Sequence, residues 1–357
     1  MSINRWVRPN IVAMTGYTPG EQPKMASQPI KLNTNENPYP PPNVVLQAIS
    51  LAVGENLRLY PDQTSRPVRE AAAMAYQLNA DQVVVGNGSD DLLTMIMRTF
   101  VHDGELVATP EPTYTLYRPL TYLQAGRYQG VPWLSGWHLP VEALAALGAK
   151  VILVARPNAP TGHAIPLEEV ARLCEQTTGI VVLDEAYVDF CRDNGLSLLA
   201  QHDNLILTRS FSKSLCLAGA RIGLGFMTQK LAQQLHKVRD SYNLDTLAQA
   251  AATAALTHLE AYVPLTLAIC QQRERITQAL RQRGFLVQES QANFVLATIP
   301  PGRRDGHNWM ADLKRQNVYI RYFGDEPFLQ DKLRITIGTP EQMAIFLTTI
   351  DQLLSDN

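Results

Sequence analysis

The chain has 357 residues, a net charge of −2 at pH 7, 46% hydrophobic residues and 18% charged residues. That length exceeds the usual reach of one hydrophobic core, so two core-bearing regions are expected. The composition excludes a disordered or low-complexity chain and the basic footprint of a nucleic-acid binder, and the apolar runs are too short to span a bilayer.

In chain order, the first eight residues (Met1 to Arg8) lack the apolar core of a signal peptide. Residues 1–42 read as an arm, dominated by the turn chemistry of Tyr17-Thr-Pro-Gly20 and Asn37-Pro-Tyr-Pro-Pro-Pro42. Asn43–Val53 and Pro67–Gln77 have helical patterns. Short apolar runs follow, each ending in a Gly- or Pro-rich turn: Gln82–Val85, Leu106–Thr109, Val151–Ala155, Ile180–Leu183, Leu205–Thr208 and Leu224–Met227. Several are flanked by helical stretches such as Leu167–Glu175. Continuous apolar strands alternating with helices predict an α/β architecture, a mostly parallel sheet covered on both faces. Ligands of such sheets bind at the carboxyl ends of the strands.

Leu244–Arg283 is a long helical stretch interrupted near Pro264. After it, strands are expected at Phe285–Gln288, Phe294–Thr298, Val318–Tyr322 and Leu333–Ile337, with helices near 306–316 and 340–354. The chain therefore divides into an arm (1–42), a large domain (43–260) and a smaller α+β domain (261–357), with the arm packing on the small domain and a dimer partner. Cys174, Cys191, Cys216 and Cys270 lie far apart without a CxxC pair. Neither a metal site nor a disulfide framework is expected, and a reducing cytoplasm is the natural setting.

The chemistry-bearing residues cluster after the strands. Asp184-Glu-Ala-Tyr187 follows the buried run Gly179-Ile-Val-Val-Leu183. A carboxylate there is costly to bury unless a cation meets it; alone it could equally cap a helix. Ser210-Phe-Ser-Lys213 follows the next strand, and Arg221 lies eight residues beyond Lys213. Alone, Lys213 reads as a solvated surface lysine; with two hydroxyls and an arginine it makes an anion site. Gly86-Asn-Gly-Ser-Asp-Asp91 joins a strand to a helix beginning near Ser89, whose N-terminus offers free N–H groups. Tyr114 sits on a loop after a further strand, and Arg156-Pro-Asn-Ala-Pro-Thr-Gly162 follows a fourth. An anion cradle, a flat aromatic, a carboxylate and a lysine at one sheet edge suit pyridoxal phosphate: its phosphate, ring, ring nitrogen and aldehyde.

In these motifs the sequence resembles the fold-type I, aspartate-aminotransferase-like enzymes, and within them the histidinol-phosphate aminotransferases. Further motifs carry the resemblance: Asn33-Thr-Asn-Glu-Asn-Pro38, Leu59-Tyr-Pro-Asp62, Pro112-Thr-Tyr114, Pro160-Thr-Gly162 and Leu333-Arg-Ile-Thr-Ile-Gly338. It implies a seven-stranded sheet in an α/β/α large domain. It also implies that Lys213 joins the cofactor covalently and moves a proton, that Asp184 pairs with the ring nitrogen, and that Tyr187 donates to the ring hydroxyl. Tyr114 would stack on the ring. Ser89 and Asp90, through their backbone N–H groups, with Ser210, Ser212 and Arg221 would hold the phosphate, joined by Tyr60 from the partner subunit of a homodimer. Tyr17, Asn35, Arg321 and Arg334 would line the substrate pocket. The implied reaction interconverts L-histidinol phosphate and 2-oxoglutarate with imidazole-acetol phosphate and L-glutamate.

One position departs from the family pattern. Asn normally precedes Pro-Thr-Gly and bonds the ring hydroxyl, whereas this chain has Ala159, with Asn158 one position early. That leaves Tyr187 as the main partner of the hydroxyl. Related reactions on the same scaffold, threonine-phosphate decarboxylation and aromatic-amino-acid transamination, stay open at this point. So does a binding domain without activity, although Lys213, Asp184 and Arg221 are all present.

Overall fold

The protein is described by a computed structural model over residues 5–24, 28–302 and 305–355. In chain order the strands are β1 (Ile30–Leu32), β2 (Val83–Gly86), β3 (Leu106–Glu111), β4 (Arg127–Pro132), β5 (Val151–Ala155), β6 (Ile180–Asp184), β7 (Leu205–Ser210), β8 (Gly223–Phe226), β9 (Leu286–Val287), β10 (Phe294–Thr298), β11 (Val318–Tyr322) and β12 (Lys332–Thr336). Seven form one sheet in the order β2-β8-β7-β6-β5-β3-β4, and five form a second in the order β1-β11-β12-β10-β9. In the first sheet only β8 runs antiparallel to its neighbours β2 and β7.

The continuous apolar runs serve two faces at once. Along β5, Val151 and Leu153 pack into one cluster while Ile152 and Val154 pack into another. The same alternation holds in β6, where Val182 faces opposite to Val181 and Leu183. Period-two geometry sends neighbouring residues to opposite faces, so a strand covered on both sides must be apolar throughout. Helices Asn43–Ala52, Arg66–Tyr76 and Thr246–Thr257 supply one cover; Ser89–Phe100 and Gln229–Val238 supply the other. The second sheet has its own core, in which Leu32, Val295, Ile320 and Ile335 meet Ile276 and Trp309 from helices Val263–Gln282 and Gly306–Arg315.

Two strands escaped the sequence pattern. β4 is the edge of the large sheet and is nowhere fully buried, so it carries no apolar run. β1 lies in the stretch read as turns; three residues are too few for a periodic signal, and its pairing with β11 is parallel and remote in sequence. The long helical stretch is broken by an 85° bend, with the 3-10 turn Leu259–Tyr262 between its halves and Pro264 in the first turn of the second half. Among the described residues no single helix is long and apolar enough to cross a membrane.

Sheet register places the site. Ala155 pairs with Asp184, and Asp184 with Thr208, so the ends of β5, β6 and β7 lie level. Because β8 is antiparallel, its first residue, Gly223, pairs with Ser210 and brings Arg221 to that same edge.

Candidate active site

A cavity of about 390 Å³ opens at this edge, and thirteen of the fourteen candidate residues line it. The exception is Tyr60, which lies 80% exposed and stacks on Tyr242 at 4.4 Å between ring centroids.

Asp184 ends β6 and is 5% exposed. Its carboxylate accepts from the Tyr117 hydroxyl at 2.8 Å, the Thr208 hydroxyl at 3.1 Å and the Ala186 N–H at 3.2 Å. Burial still outweighs these three donors and pushes its pKa up to about 6. It forms no ion pair among the described residues, so a cation facing it from the cavity would meet an unsatisfied charge.

Lys213 follows β7 in the tight turn after Ser210. Its ammonium donates to the Thr34 carbonyl at 3.3 Å and lies 5.6 Å from the centroid of the Tyr187 ring. Burial, reinforced by the positive charge of Arg334, lowers its pKa to about 8. The arm motif grips this turn: Asn37 Nδ2 donates to the Lys213 carbonyl at 2.9 Å, and Asn35 Nδ2 donates to the Tyr187 hydroxyl at 2.8 Å. Sequence reasoning noted the motif without finding these contacts, because its partners lie 150 or more residues away.

The anion cradle is built by close approach of three backbones. Gly88 has φ +85°, and a Cβ there would fall 2.6 Å from Arg221 Nη2. A Cβ on Gly223 would fall 2.5 Å from the Ser89 nitrogen. Both positions therefore require glycine, and together they set the start of helix Ser89–Phe100 beside Arg221. The first-turn N–H groups of that helix have no partner within it, and Ser89 and Asp90 line the cavity, so this helix start suits an anion. Arg221 donates to the Ser212 hydroxyl at 3.2 Å and to Asp90 at 3.3 Å, while Asp90 also accepts from the Tyr114 hydroxyl at 3.3 Å. The Tyr114 ring meets Tyr17 and Tyr117 edge-on, at 6.2 and 5.5 Å between centroids.

Across the cavity stand two arginines. Arg321 on β11 pairs directly with Arg334 on β12. Like charges opposite each other in an antiparallel pair are unfavourable, by roughly 0.2–1 kcal/mol. Neither has an acidic partner among the described residues: Arg334 donates to the Asn33 carbonyl at 2.8 Å, and Arg321 to the carbonyls of Thr18 and Pro19 at 3.3 and 3.4 Å. Arg334 also lies over the rings of Phe294 and Phe323, with its Nε buried and unpartnered. The planar forks of such a pair suit an anion with more than one oxygen.

Asn158 does not stand in for the residue missing at position 159. It is fully buried, accepts from the Thr113 hydroxyl at 2.9 Å, and donates to the Pro112 carbonyl at 3.0 Å and the Thr161 hydroxyl at 2.7 Å. Ala159 alone faces the cavity, in an apolar cluster with Ala292, Phe294 and Tyr187. Tyr117, Thr208, Thr34 and Phe323 are the site residues that the sequence concealed. Tyr117 in particular reads as an ordinary core tyrosine three positions after Tyr114.

The residues present fit pyridoxal phosphate. Asp184 is a buried carboxylate suited to a ring cation, the Ser89 helix start with Ser210, Ser212 and Arg221 suits a phosphate, and the Lys213 amine lines the same cavity.

Comparison with known proteins agrees. The family model for aminotransferase class I and II matches residues 27–350. The chain is 41% identical over 353 residues to histidinol-phosphate aminotransferase 1 of Trichormus variabilis, covering 99% of this chain and 100% of that one. It is 42% identical over 353 residues to the enzyme of the same name from a Nostoc species, covering 99% of each. The structure of histidinol-phosphate aminotransferase from Sinorhizobium meliloti in complex with pyridoxal-5′-phosphate superposes with a TM-score of 0.87, at 26% identity and 98% coverage of both chains.

Proposed function

The chain belongs to the aminotransferase class I and II family, and from that premise we propose that it moves an amino group between L-histidinol phosphate and 2-oxoglutarate. It is a pyridoxal-phosphate-dependent aminotransferase. The observation that carries the substrate reading is the Arg321–Arg334 pair, two cations facing each other without an acidic partner among the described residues. Both substrates bring an anion that such a pair can hold: the phosphate of one and a carboxylate of the other.

When bound, the cofactor supplies an aldehyde carbon that takes up an amine and a ring that withdraws electrons from the carbon bearing it. The protein does the rest. Asp184 holds the ring nitrogen protonated, because its buried carboxylate gains an ion pair only with the cationic ring. The backbone N–H groups of Ser89 and Asp90, with Ser210, Ser212 and Arg221, anchor the phosphate, Tyr114 covers one ring face, and Tyr187 donates to the ring hydroxyl. Lys213 Nζ, with a pKa drawn down to about 8, is partly neutral near pH 7 and can accept a proton at the substrate carbon and return it. Arg334 and Arg321, with Tyr17, fix the far end of the substrate.

The test is product analysis of the purified protein with L-histidinol phosphate and 2-oxoglutarate, with phenylalanine and threonine phosphate run in parallel. Stoichiometric glutamate from histidinol phosphate is the expected result. Carbon dioxide release without consumption of 2-oxoglutarate would instead make it a decarboxylase. Arg334→Gln is expected to lower kcat/KM by roughly 10- to 100-fold for both substrates, the worth of a charge-assisted hydrogen bond of about 1.5–3 kcal/mol. A loss confined to one substrate would show that the two anions use different arginines.

The active form in this reading is a cytoplasmic homodimer. Tyr60 lies outside its own cavity, and Leu51, Val53, Leu57 and Leu59 near it are exposed apolar residues of the kind a subunit interface covers. An active protein that sediments as a monomer would overturn this. The two separate cores support the division into arm 1–42, large domain 43–260 and small domain 261–357.

A further inference from the structure

Ala159 leaves the cofactor's ring hydroxyl without a carboxamide beside it, and the structure offers another carboxamide one bond removed. Asn35 is 1% exposed, with φ +55°, and is held on three sides. Its N–H donates to the Thr336 hydroxyl at 3.1 Å, its carbonyl accepts from Asn293 Nδ2 at 3.0 Å, and its Oδ1 accepts from the Thr336 hydroxyl at 3.0 Å. With Oδ1 engaged by Thr336, Nδ2 faces Tyr187 and donates to its hydroxyl oxygen at 2.8 Å. A phenolic oxygen that accepts one hydrogen bond keeps its own proton to donate elsewhere. Accepting also polarises the O–H, so its onward bond is stronger.

The Tyr187 ring has little freedom to turn away. It packs edge-on against Phe294 at 5.2 Å between centroids and touches the cluster that contains Ala159. We infer that Asn35 is a positioning residue: through the Tyr187 hydroxyl it supplies to the cofactor's ring oxygen the hydrogen-bond control that Ala159 cannot. This rests on the reading of the cavity as a pyridoxal-phosphate site. Asn35 acts on the cofactor's electronics without touching the reacting carbon, and its place in the arm couples that control to the small sheet through Thr336 of β12.

A strong donor to the ring oxygen stabilises negative charge there and so lowers the pH at which the bound cofactor titrates. The experiment is a pH titration of the visible absorbance of the loaded protein, without substrate, for the wild type, Asn35→Ala, Tyr187→Phe and the double variant. Asn35→Ala is expected to raise the midpoint by about one unit, the size of one hydrogen bond. Tyr187→Phe is expected to raise it at least as far, and adding Asn35→Ala to Tyr187→Phe is expected to change nothing more, because one residue acts through the other. If Asn35→Ala does not fold, Asn35→Asp keeps the shape. Its carboxylate would accept the Tyr187 hydroxyl's hydrogen bond in place of the ring oxygen, and the midpoint is expected to rise further. A wild-type midpoint in the Asn35 variant that folds, or additive shifts in the double variant, overturns the inference. A wild-type protein that takes up no pyridoxal phosphate overturns the reading of the site beneath it.

Discussion

Lys213→Ala is expected to lower transamination by roughly 10³–10⁴-fold or more, because in the proposed mechanism one side chain supplies both the covalent anchor and the mobile proton. Its position leaves no substitute. The amine lies 5.6 Å from the centroid of the Tyr187 ring and 3.3 Å from the Thr34 carbonyl, and among the described cavity-lining residues it is the only lysine. The fold should not suffer. Burial lowers the Lys213 pKa to about 8 against an ordinary value of 10.5, so the folded chain holds this proton less tightly than the unfolded one. The penalty on the folded state is fully present below pH 8 and is relieved as pH rises through 8 to 10.5. The cofactor-free Lys213→Ala protein is therefore expected to melt no lower than the wild type at pH 7, and to lose that alkaline gain. Glutamate formation and thermal melts of the two proteins check both points. Activity within tenfold of the wild type would mean that another group moves the proton.

Asp184→Asn is expected to separate catalysis from stability in a similar way. If Asp184 pairs with the ring as proposed, loss of that counter-charge should cost roughly 10²–10⁴-fold in kcat with little change in fold, the scale on which buried electrostatic groups act in catalysis. The cofactor-free protein should gain. Burial raises the Asp184 pKa from 3.8 to about 6. The stability associated with its proton is present below the unfolded value and is lost as pH rises through about 6, on the order of 3 kcal/mol. Asn keeps the shape and carries no charge, so the cofactor-free variant is expected to be the more stable protein at pH 7, with the difference shrinking toward pH 4. Melting curves from pH 4 to 8, with and without cofactor, test this. A cofactor-free variant that melts lower than the wild type at pH 7 would show that the three donors to Asp184 outweigh its burial.

The two variants address different halves of one design. Arg334 raises the local potential that lowers the Lys213 pKa, so a substrate anion at Arg334 makes the Lys213 amine more basic. In the proposed mechanism, substrate binding and the proton-moving group are therefore coupled through charge.

What the sequence by itself determined was the large sheet and the edge at which chemistry would gather. Runs such as Val151–Ala155 and Leu205–Thr208 are apolar without interruption because both faces of their strands are covered, and each polar motif follows such a run. Parallel strands end on one side, so motifs written after different strands must meet: Ser89, Asp184, Ser210 and Lys213 share one cavity. Tertiary structure decided what depends on register and on partners distant in sequence. It placed Arg321 opposite Arg334, turned Asn158 into the protein and away from the cavity, brought Tyr117 to Asp184, and set Asn35 between Thr336 and Tyr187. None of these leaves a periodic trace, because each arises from a strand pairing or a side-chain rotamer that only the packed chain selects.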